Sequence, residues 1–129
     1  MIQRFIEIGQ GYSDIYELLE IAKTNKHRVL HLMEFHTKIN NNDVTSLAIV
    51  LQPAESGDFQ PIYICREGIP NPAKKLTKRY ELFTDLAKEL NKEIISLQVK
   101  PSTFFAETEL YYQHLIGILR MNRYIPPLG

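Results

Sequence analysis

Two runs constrain this chain more than anything else in it: Leu47-Ala48-Ile49-Val50-Leu51 and Ile62-Tyr63-Ile64-Cys65. Each is apolar at every position, so neither alternates as a strand with one buried face would. Short runs of this kind, flanked by turn residues, read as central strands covered on both sides. A sheet covered on both sides needs helices on both faces. The expected fold is therefore mixed α/β (α+β): a four- to five-stranded mixed sheet with an antiparallel meander and three helices, in a three-layer sandwich.

The neighbouring segments supply the other elements. Residues 2–8 partly alternate and predict a first strand, broken by Gly9-Gln10-Gly11. Ser13 is positioned to cap a helix over 13–24, whose stripe Ile15, Leu18, Leu19 and Ala22 has helical spacing. Residues 28–37 fit strand or helix; strand is favoured because Asn40-Asn41-Asn42-Asp43 is hairpin-turn chemistry leading into 44–51. A turn around Gly57 then opens a third meander strand over 59–65, with residues 66–73 as a loop. Asn71-Pro72 suits the cap and first position of a helix over 73–91, with Leu76, Tyr80, Phe83, Ala87 and Leu90 as its apolar stripe. Ile94–Val99 is a last strand, parallel to a neighbour after the crossover, and a third helix spans 104–122.

Length and composition fit one domain over 1–129, with residues 124–129 as a C-terminal tail. Hydrophobic residues make up 44% and charged ones 23%, the balance of a folded rather than a disordered chain. Lys plus Arg and Asp plus Glu are 15 each, which gives no general attraction to nucleic acid or anionic membrane. No segment has the ~18 apolar residues of a membrane span, and no apolar leader opens the chain, so the expected setting is cytoplasmic. Cys65, the only cysteine, sits in an apolar run and reads as a small buried hydrophobe.

Chemistry is harder to find. His27, His31 and Glu34 would cluster on a helix, but on a strand they do not form a metal site, and no metal or cofactor is expected. There is no nucleophile elbow and no phosphate loop. The outstanding charge feature is Arg66 followed by Lys74, Lys75, Lys78 and Arg79. Helix starts normally collect acids, so cations there predict either a bound anion or a helix that begins later. The element order also matches a restriction-endonuclease-like core, whose metal carboxylates would fall on Asp43 and Asp58, with Gln60 where that pattern has lysine.

The segments Met1-Ile2-Gln3-Arg4-Phe5-Ile6, Tyr12-Ser13-Asp14, Pro61–Pro70, Lys100-Pro101-Ser102-Thr103, Leu110-Tyr111-Tyr112 and Leu119-Arg120-Met121-Asn122 resemble a small uncharacterised protein family of Bacillus-type bacteria. The resemblance runs end to end and implies no activity. The methylthioribose kinase label sometimes attached to such proteins lacks support here, since the chain has neither a phosphate loop nor a His-x-Asp catalytic loop.

The expected function is a non-catalytic binding or regulatory module for an anionic small molecule or a protein partner; the alternative is a metal-dependent phosphodiester hydrolase. The third helix is apolar nearly all round. Leu110, Tyr111, Leu115, Ile118 and Leu119 are expected to meet the sheet, leaving Phe105, Tyr112, Ile116, Met121 and Tyr124 for the tail or for a homodimer contact.

Overall fold

The computed structural model describes residues 2–8, 14–39, 42–55, 57–70, 72–99 and 108–126. The elements run β1 (Gln3–Glu7), α1 (Asp14–Thr24), β2 (Val29–Ile39), β3 (Asn42–Leu51), β4 (Gln60–Pro70), α2 (Lys78–Glu89), β5 (Ile94–Gln98) and α3 (Thr108–Met121). The five strands form one mixed sheet in the order β1-β4-β3-β2-β5. β2, β3 and β4 are the antiparallel meander; β1 joins β4 in parallel and β5 joins β2 in parallel.

The unbroken apolar runs are explained by two apolar clusters. Leu47, Ile49 and Leu51 of β3 pack with α1 and α2, while Ala48 and Val50 pack with Leu115 and Leu119 of α3. On β2, Leu32 belongs to the first cluster and Met33 and Phe35 to the second. Val29 has the parity of Met33 yet lies in the first cluster, because the register shifts between Val29 and His31. A bulge of this kind turns the following side chains to the opposite face. Cys65 is buried at 1% exposure in the first cluster.

Three expectations need correction. β4 does not stop at Cys65 but continues to Pro70, where Val44 faces Pro70 and Thr45 faces Ile69. The ladder survives because between Thr45 and Leu47 one residue opposes three, 66–68, an irregularity that absorbs the apparent loop. Helix α2 begins at Lys78, not 73, since its N-cap is Thr77, whose side chain accepts from the Tyr80 amide at 3.3 Å. Asn71 lies outside the described residues, and Leu76, expected in the stripe, stands before the helix at 61% exposure; Leu86 is buried in its place.

The third correction concerns α3. Among the residues whose side chains are described, its sheet-facing stripe is Tyr112, Leu115, Ile116 and Leu119, at i, i+3, i+4 and i+7; Leu110 and Tyr111, also expected there, have side chains outside the described part. Tyr112 and Ile116, expected partly outside the stripe, therefore pack inward. Tyr112 stacks on Phe5 with ring centroids 4.6 Å apart and donates its hydroxyl hydrogen to Glu7.

Both described helix C-termini after α2 and α3 close in the same way. Asn91 and Arg123 adopt φ of 56° and 61°. The Lys92 amide donates to Ala87 and the Asn91 amide to Lys88; Tyr124 and Arg123 repeat this with Leu119 and Arg120. This pair of bonds is the Schellman closure, and it turns the chain sharply at each helix end. After α3 it directs Ile125 into the second cluster at 3% exposure.

Candidate functional site

A groove forms where β4 ends, α2 begins and the first turn of α1 passes by. It is lined by Tyr16, Ile69, Pro70, Lys75, Thr77, Lys78, Arg79 and Leu82, with a volume of about 430 Å³. Its position follows from the late start of α2. The extended β4 brings Ile69 and Pro70 to the edge of the meander, and the turn at 72–74 carries Lys75 across to the Thr77 cap. Lys78 and Arg79 then occupy the first helical turn, where amide hydrogens point outward and the helix dipole is already positive. Glu81 is the acid of that turn.

Three of the five cations singled out from the sequence, Lys75, Lys78 and Arg79, thus share one groove. Lys74 does not, because its ammonium is paired with Asp43. That pairing lowers the Asp43 carboxyl below its ordinary value, chiefly through the Lys74 hydrogen bond. Arg66 belongs to β4, with its side chain outside the described part. Tyr16 was not legible as a site residue. It lies off the buried stripe of α1 and is 57% exposed, the pattern of an ordinary solvated position.

The carboxylates expected of a hydrolase are not brought together. Asp43 lies at the start of β3, and Asp58 follows β3's far end in the turn before β4. The strand from Asp43 to Leu51 spans about 26 Å at roughly 3.3 Å per residue. One metal needs its ligands within ~2.0–2.6 Å. Gln60 is 1% exposed, and its side-chain oxygen accepts from Gln3 Nε2 at 3.2 Å, so it serves the sheet. Among the described residues no group of three or more His, Cys, Asp or Glu is placed to hold a metal ion.

A second polar constellation lies under α2 on the same face of the sheet as α1. His36, 8% exposed, hydrogen-bonds through Nδ1 with Thr45 Oγ1 at 2.7 Å and through Nε2 with Ser96 Oγ at 2.8 Å. Glu34 Oε1 lies 3.3 Å from the same Nε2, and Glu34 Oε2 has no partner among the described residues. Burial, together with a hydrogen bond to Glu34, pushes the Tyr80 hydroxyl up to about 12. Ser96 beside a histidine invites a nucleophile reading. In such machinery the carboxylate binds the imidazole nitrogen opposite the hydroxyl, whereas here both meet Nε2. The cluster reads as the tie that holds β5 and α2 onto β2.

Of the remaining residues proposed for self-association, Tyr124 is used within the chain and Met121 is not. Tyr124 stacks edge-on with His31 at 5.7 Å, and its carbonyl accepts from His31 Nε2 at 2.8 Å. Met121 stands 84% exposed. Phe105 lies outside the described residues.

Fold and groove together define a mixed α+β domain of three helices on a mixed sheet, with a cation-lined cleft at the end of its meander. No helix is long and apolar enough to cross a membrane among the described residues. The chain belongs to the family described as a domain of unknown function, DUF7147, which it matches over residues 1–125. No curated protein and no solved structure matches it.

Proposed function

We propose that this domain is a non-catalytic binding module that takes an anionic small molecule in the groove at the start of α2. The observation that carries the reading is the convergence of Lys75, Lys78 and Arg79 on one cleft beside the α2 N-terminus. Its volume, about 430 Å³, lies in the range of small-molecule sites. A phosphate or carboxylate there meets point charges from the lysines and a planar donor fork from the arginine. We take the setting to be cytoplasmic and the architecture to be a three-layer sandwich, for which the two separate apolar clusters are the support.

A thermal-shift series with inorganic phosphate, pyrophosphate and citrate tests the reading. An anion at 100 times its dissociation constant adds about 2.7 kcal/mol of stability. The double variant Lys75→Glu with Lys78→Glu is expected to lose that shift, both positions being exposed and free of packing duties. A shift of the same size in the double variant removes the groove from consideration. The hydrolase alternative is disfavoured by the separation of Asp43 from Asp58. Self-association through α3 has Met121 as its exposed apolar support, and sedimentation equilibrium decides it.

A further inference from the structure

The groove has a lining of two kinds. Lys75, Lys78 and Arg79 are cationic; Tyr16, Ile69, Pro70 and Leu82 are aromatic or apolar. A site for a bare inorganic anion has no use for the second kind, since a fully hydrated ion gains nothing from apolar surface. Tyr16 is the informative member. The residues of α1 that hold the helix to the sheet are Ile15, Leu18, Leu19 and Ala22, each at 8% exposure or less. Tyr16 lies off that stripe at 57% exposure, so packing does not require its ring. A single exposed aromatic is common and by itself means nothing. This one lines a cleft that also carries three cations.

Resting on the anion-binding reading above, we infer that the ligand is an aromatic anion: a flat ring bearing a phosphate, which lies against Tyr16 while the phosphate meets Lys75, Lys78 and Arg79. The ring replaces water over Tyr16, Ile69 and Leu82, and ring-on-ring stacking adds to the area it buries. The cations fix the charged end and Tyr16 the ring, so orientation follows from the two together. Tyr16 is then the residue that separates ring-bearing from plain anions.

Calorimetric titration of the full chain with phenyl phosphate, inorganic phosphate and phenol distinguishes this inference from the reading it rests on. Phenyl phosphate is expected to bind about tenfold more tightly than inorganic phosphate, the gain of one good aromatic contact. Tyr16→Ala is expected to erase that advantage while inorganic phosphate binds as before, and Tyr16→Phe to retain it. The double variant Lys75→Glu with Lys78→Glu is expected to weaken both phosphates. Equal affinity for the two phosphates, or an advantage untouched by Tyr16→Ala, overturns the aromatic inference and leaves the anion site standing. Binding of neither phosphate overturns both. Phenol binding as tightly as phenyl phosphate overturns the role given to the cations.

Discussion

Replacing Gln3 with alanine should unfasten the C-terminal segment from the sheet. Gln3 is 5% exposed on the edge strand β1, and its amide joins three parts of the chain. Its Nε2 donates to Gln60 Oε1 at 3.2 Å and to the Pro126 carbonyl at 2.9 Å, while its oxygen accepts from Arg120 Nε at 3.0 Å. Gln60, at 1% exposure, cannot turn to water when that partner goes. An orphaned buried acceptor costs about 1–3 kcal/mol. Pro126 is exposed and Arg120 half-buried, so each can recover part of its loss from water, at a cost of ~0.5–1.5 kcal/mol for each bond. The three terms together come to roughly 2–6 kcal/mol. Urea unfolding monitored by circular dichroism reads this as a lower midpoint with unchanged slope. Hydrogen exchange should quicken at the Tyr124 amide, which bonds back to Leu119. Gln3→Met with Gln60→Met should recover much of the loss, because removing both partners orphans neither. A loss under about 1 kcal/mol for Gln3→Ala would refute the assignment of these bonds as the tail's anchor.

Two further outcomes follow from single groups. Arg123 holds a left-handed φ of 61° in the closure of α3, where glycine has no steric cost; Arg123→Gly is expected to raise stability by up to about 1 kcal/mol in the same urea assay. Burial holds the His31 imidazole below its ordinary 6.5, with the Tyr124 carbonyl bond opposing and Lys92 adding to the effect. The unfolded chain then takes up the proton more readily than the folded one, so His31's contribution is complete above 6.5 and declines as pH falls through 6.5 toward the folded value. The melting temperature measured from pH about 7.5 down to about 5 should fall less steeply in His31→Gln.

Much of the sheet was legible because its signal is local. Leu47–Leu51 and Ile62–Cys65 are apolar on both parities, and two apolar clusters that take alternate positions of each strand are the physical reason. The end of β4 was not legible. Gly68 and Pro70 look like loop residues, and only the uneven pairing opposite Ser46 lets them continue the ladder. Asn71-Pro72 has good capping chemistry, yet Thr77 caps α2, because the extended strand and its turn use up the residues between. On α3 apolar residues occupy several faces, so the phase of its stripe could be set only by Phe5 and the sheet beneath. The cations of the groove were visible as a run of charge, whereas Tyr16 comes from another helix, distant in sequence. The His36–Ser96 bond joins residues 60 apart and left no mark in any local pattern.

A ¹⁵N–¹H correlation spectrum recorded during titration with inorganic phosphate tests the anion groove most directly. The account predicts progressive, saturable shifts at the amides of Lys75, Thr77, Lys78 and Arg79, with smaller ones at Ile69 and Leu82. Saturable shifts centred on the far face, around Leu115 and Leu119 of α3, would contradict it. So would a spectrum that stays unmoved to tens of millimolar phosphate.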